Sequence, residues 1–144
     1  MAATPLAQRI GPGDSFSRHH RFDAADIADF ANRSGDHNPV HHDPDAGTSS
    51  RYGKRIASAE HTIALMLGLA ASWLAQRGRA IGLGCSFRFT AGVREGDTLE
   101  MRWSVAQTYF KESLSGMIVC FAGDATNQDG LVAMTATLEM LLQE

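Results

Sequence analysis

The spacing of apolar positions changes several times along the chain, and each change marks an element. Residues 1–13 hold two prolines and two glycines and show no period, which predicts a loose lead-in to one domain over residues 14–144. Asp14 to Phe22 mixes polar and aromatic residues without Gly or Pro, as a short, partly exposed strand does. His19 and His20 point to opposite faces of it and are read as solvated or edge histidines. Asp23 then stands as a helix cap, and Ile27, Phe30 and Ala31 carry the i, i+3, i+4 spacing of an amphipathic helix that runs out at Asn32–Arg33. A second short helix is expected after Asp43, with Pro44 at its first position, leading into an irregular excursion to Gly53.

From Ser58 the pattern changes again. Good helix formers continue to Gln76 with apolar residues on nearly every face, which predicts a buried central helix capped by Ser58. Its apolar part, Ile63 to Ala75, is too short for a bilayer, which needs roughly 20 residues. Beyond Gly78 the period becomes two. Strands are expected over Ile81–Thr90, Thr98–Tyr109, Ser113–Asn127 and Leu131–Leu142, with Leu99, Met101, Trp103 and Val105 on one face. Phe110-Lys111-Glu112 reads as a turn, and Asp129-Gly130 as a hairpin. The expectation is an α+β domain: an antiparallel sheet of about five strands wrapped over one buried helix.

Composition changes this picture little. A chain of 144 residues, 44% hydrophobic and 20% charged, suits one globular domain. A net charge of −3 with no Lys/Arg patch argues against nucleic acid and anionic membranes as partners. Cys85 and Cys120 stand among apolar neighbours and read as buried free thiols, and the N-terminal residues lack a signal pattern. A reducing, cytoplasmic setting is therefore expected.

The chemistry concentrates in Ser34 to Asp43, S-G-D-H-N-P-V-H-H-D. Asn38-Pro39 breaks regular structure, so this is an ordered loop. The turn lets Asp36 and His41 converge as an acid/base pair. His37, His41, His42 and Asp43 are also metal-ligand types, but they straddle the proline turn and lack a third well-spaced ligand group, so no metal is expected. Trp73, Trp103 and Met66 read as core or interface residues, and Arg51, Lys54 and Arg55 as a solvated basic loop.

Phe30-Ala31 with S-G-D-H-N-P-V-H-H-D, then Tyr52-Gly53, Ile56-Ala57 and an apolar helix, then F-R-F-T-A-G-V-R-E-G-D-T-L, resembles the MaoC-like, (R)-specific enoyl-CoA hydratase family. The resemblance covers roughly Phe22 to Val105 and is most specific in G-D-x-N-P-x-H. It implies a single hot-dog domain, paired as a homodimer or a dimer of dimers. It also implies an acyl thioester substrate, carried by coenzyme A or an acyl-carrier protein, and no cofactor. The family's catalytic aspartate and histidine fall on Asp36 and His41, with Asn38 and Gly35 as loop support. The backbone N–H that holds the thioester oxygen falls on Ala59, at the head of the central helix.

Two departures stand out. Ser58-Ala59-Glu60 replaces the family's usual His-Gly-Met, and a carboxylate at Glu60 must face solvent, pair with a cation such as His61, or titrate abnormally. Gly92 replaces a common proline, with an effect expected only on the local turn. Glu60 leaves an alternative open, a thioesterase in which it acts as base or nucleophile, and the altered helix head leaves another, a hot-dog protein that binds thioesters without turning them over.

Overall fold

The computed structural model describes residues 9–144. Strand β1 (Ser15–Arg21) leads into helix α1 (Ala24–Ser34), whose cap Asp23 accepts from the Asp26 N–H as its position predicts. Gly35 ends α1 in the left-handed region, φ 78°, where only glycine is unstrained, and so turns the chain sharply into the loop. Helix α2 (Pro44–Ser49) follows, capped by Asp43. Then come the long helix α3 (Ala59–Ala75) and strands β2 (Arg79–Phe89), β3 (Thr98–Lys111), β4 (Gly116–Thr126) and β5 (Val132–Gln143). Of the lead-in, residues 1–8 lie outside the described residues. The part described is not loose: Ile10 is buried in the core and the Gly13 N–H donates to the Val105 carbonyl.

The five strands form one open antiparallel sheet in the order β1-β3-β4-β5-β2, with β1 and β2 at its edges. Leu99, Met101, Trp103 and Val105 turn inward from β3, each essentially fully buried. Trp103 also donates its indole N–H to the Met66 carbonyl of α3 at 2.8 Å, which fixes the helix to β3. The expected turn at Phe110–Glu112 comes later: β3 continues to Lys111 and reverses through Glu112–Leu114, with Ser115 at φ 47°. The Asn127–Gly130 hairpin forms as expected, its Asn127 side chain accepting from the Asp129 and Leu131 N–H groups.

Helix α3 is not buried all round. It sinks one stripe, His61, Thr62, Met66, Ala70 and Leu74, while Ala64, Gly68 and Ala71 are exposed. Beside it β2 leaves Ile81, Leu83 and Phe89 about half exposed, and Cys85 is exposed rather than buried. Both cysteines are free thiols, and Cys120 is half-buried. The sheet is one layer deep on this side, and among the described residues nothing covers these apolar positions.

Candidate active site

The loop after α1 is built on backbone bonds. Asp36 N–H donates to Ala31 O at 2.9 Å, which closes the helix end and fixes where the Asp36 side chain starts. Asn38 supports the loop twice: its backbone N–H donates to Asp36 Oδ1 at 3.1 Å, and its side-chain oxygen accepts from the Val40 N–H, capping the short turn Pro39–His41. That turn brings His41 Nε2 to 3.2 Å from Asp36 Oδ2. The far ring nitrogen, Nδ1, lies 2.7 Å from the carbonyl of Ile56. A carbonyl only accepts, so Nδ1 carries the proton and Nε2 is the atom presented to Asp36. His41 is 6% exposed. The Asn38 N–H holds the Asp36 carboxyl below its ordinary value, against a smaller upward push from burial, and contacts with Glu60 and His41 lower it further.

Asp36 and His41 open into a cleft of about 520 Å³. Ala59 and Glu60 line it from the head of α3, Ile56 and Ala57 from the segment before it, and Phe89 to Val93, Ala133 and Met134 from the sheet side. The structure therefore gathers Asp36, His41, Ala59 and Glu60 around one space, with Asn38 and Gly35 behind Asp36. The first N–H groups of a helix have no intrahelical partner, so the Ala59 end of α3 offers donors and the positive end of the helix dipole to the cleft. This arrangement can hold a water between a carboxylate and an imidazole while backbone donors face a carbonyl oxygen.

Glu60 does not pair with His61. It accepts from Ser34 Oγ at 3.3 Å, and its carboxyl lies within hydrogen-bond reach of Asp36. His61 points the other way, stacked on Phe30 at 4.4 Å between ring centres, with Nε2 3.5 Å from Asp26 Oδ2. Burial holds the His61 imidazole below its ordinary value of 6.5, opposed by the Asp26 charge. His20 Nε2 lies 2.6 Å from the same carboxylate oxygen, so on edge strand β1 it is a hydrogen-bonded, part-buried residue and not a solvated one. Among the described residues His20, Asp26 and His61 are the one convergent set of metal-ligand types. They lie outside the cleft lining. The His37, His41, His42, Asp43 set does not converge: His41 and His42 turn to separate carbonyls, those of Ile56 and Asp36.

Three contributors were missed in the sequence. The Ile56 carbonyl that fixes His41 is a backbone atom and leaves no trace in residue type. Ser34 reads in the sequence as the start of the loop, with no role for its hydroxyl. Tyr52 lines the cleft with its ring against Gly92, where an added Cβ would fall 2.6 Å from a ring carbon. Gly92 thus makes room for a cleft wall, an effect beyond the local turn. The basic loop residues divide: Arg51 lies over the Tyr52 ring and lines the cleft, while Arg55 pairs with Glu95 at 3.3 Å.

Residues 6–124 match the family described as MaoC like domain. The chain is similar to the solved (R)-hydratase from A. caviae involved in PHA biosynthesis, with a TM-score of 0.86 and 28% identity over 95% of this chain and 100% of that one. It is also similar to the R-hydratase PhaJ1 of Pseudomonas aeruginosa, TM-score 0.84 and 28% identity, over 95% of this chain and 84% of the other. A 3-hydroxybutyryl-CoA dehydratase of Methylorubrum extorquens is 29% identical over 108 residues, 74% of this chain and 68% of that protein. The open five-stranded sheet around α3 is the hot-dog arrangement of the matched hydratases.

Proposed function

The chain belongs to the MaoC-like dehydratase family, and from that premise we propose that it adds water to a trans-2-enoyl thioester, or removes it from an (R)-3-hydroxyacyl thioester, with Asp36 and His41 handling the water. The observation that carries this reading is the 3.2 Å approach of His41 Nε2 to Asp36 Oδ2 at the wall of a cleft that also holds the head of α3. One water bridges the two groups and loses a proton to the pair as its oxygen attacks C3. The pair returns a proton to C2. Meanwhile the thioester oxygen gains negative charge, and the Ala59 N–H, at the positive end of α3, stabilises it. Ile56 keeps the imidazole from rotating, so Nε2 stays the atom that faces the water.

The carrier is coenzyme A in this reading, by analogy with the relative named for a CoA substrate. A second copy of the chain covers β2 and the exposed side of α3. Ile81, Leu83 and Phe89 supply an apolar surface there, and β2 is an edge strand open to pairing. Charge at Leu83, as in Leu83→Asp, should shift the protein to monomers in sedimentation; a dimer that persists would contradict this placement. No membrane contact is part of the proposal, and no helix of the described residues is long and apolar enough to cross a bilayer.

The test is loss of enoyl-thioester absorbance when the protein is mixed with crotonyl-CoA, followed by chiral analysis of the product. Hydration to the (R)-3-hydroxy product supports the reading. Release of free CoA without hydration overturns it.

A further inference from the structure

The head of α3 holds polarity that the proposed chemistry does not use. Ser58 and Thr62 lie one helical turn apart and both line the cleft. Each is 1% exposed, and neither hydroxyl has a hydrogen-bond partner among the described residues. Ser58 occupies the cap position, yet its side chain makes no capping bond. A buried hydroxyl without a partner is costly, and alanine or valine would fit either place without that cost. Between them Glu60 brings a half-buried carboxyl to the same wall, held beside Asp36 and Ser34. Three hydrogen-bonding side chains within five residues is a poor lining for a plain alkyl chain.

We propose that this wall is a polar acyl subsite, fitted to an enoyl thioester that carries a hydroxyl on C4, beside the double bond. The inference rests on the hydratase reading above. Position follows from the neighbourhood of Asp36: if that carboxylate serves C3 and C2, the atom one bond beyond C3 falls beside Glu60. A hydroxyl there donates to a Glu60 carboxyl oxygen and accepts from the Ser58 or Thr62 hydroxyl, so both the substrate and the wall are satisfied. A methyl group at C4 satisfies neither.

The experiment compares kcat/KM for 4-hydroxybut-2-enoyl-CoA and crotonyl-CoA on one preparation, then on Glu60→Met and on the Ser58→Ala/Thr62→Val double variant. The expected result is a preference for the hydroxylated substrate on the order of tenfold or more, the range of discrimination when a buried polar group is left unpaired. Glu60→Met should reverse that preference and the double variant should reduce it, with thermal melts reporting that each is folded. Equal or better turnover of crotonyl-CoA by the parent overturns the polar subsite and leaves the hydratase reading standing. An unchanged preference in both variants overturns it too. Hydration of neither substrate overturns both readings together.

Discussion

The loop over Ser34–Asp43 and the head of α3 face the same cleft but differ in how their polar groups are satisfied. In the loop nearly every group is engaged: Asp36 with Asn38 and His41, His41 with Ile56, His42 with the Asp36 carbonyl. At the head of α3, the hydroxyls of the cleft-lining Ser58 and Thr62 are buried and have no hydrogen-bond partner among the described residues. A fully paired network holds its side chains in one geometry, which is what proton transfer needs. Unpaired groups beside an open cleft give up nothing when a ligand arrives; on the proposals above, Ser58, Glu60 and Thr62 set selectivity while the loop moves the protons.

The largest effect separating the two regions should come from Asp36→Asn and His41→Ala. Each is expected to lower kcat by about 10²–10⁴, the usual contribution of general acid/base catalysis, with binding much less affected. Steady-state kinetics on crotonyl-CoA checks it; a variant within a few-fold of the parent would move the chemistry elsewhere. Asn38→Ala comes next. It removes the cap of the Pro39–His41 turn and should cost about 1 kcal/mol of stability, with a fall in kcat of about tenfold as the pair loosens. Ser58→Ala and Thr62→Val should contrast with it in thermal melts, leaving stability unchanged or raised by about 1 kcal/mol, because a buried hydroxyl without a partner is removed. A clear drop in melting temperature would mean these hydroxyls are satisfied in solution.

The smallest effect concerns His61. Its imidazole is held below 6.5 by burial, so the unfolded chain binds more protons than the folded one in the interval beneath that value. Stability should be flat above the ordinary histidine range and decline as pH falls through 6.5 toward the folded value. His61→Phe, which keeps a ring against Phe30, should flatten that decline in denaturant titrations run at several pH values. A decline of the same slope in the variant would assign it to other groups.

Much of the frame was legible because local rules and tertiary structure agree. Asp23 and Asp43 cap where their side chains can reach N–H groups two or three residues on, and the alternation from Leu99 to Val105 is the inward face of β3. The loop was legible through the Asn38-Pro39 break between Asp36 and His41. What failed did so where partners are distant. Ile10 packs into a core whose other members are far along the chain, and Gly92 matters because of Tyr52, forty residues earlier. Apolar residues all round α3 predicted burial by the chain itself, but periodicity cannot say which surface does the burying. On the proposal above, a second copy covers what one sheet layer leaves open.

The most direct test of the account is a double-mutant cycle on kcat with Asp36→Asn, His41→Ala and the two combined, using crotonyl-CoA. If the two side chains handle one water as a unit, the double variant should be about as slow as either single one. Losses that multiply would show that Asp36 and His41 act independently, and the shared-water mechanism would be wrong.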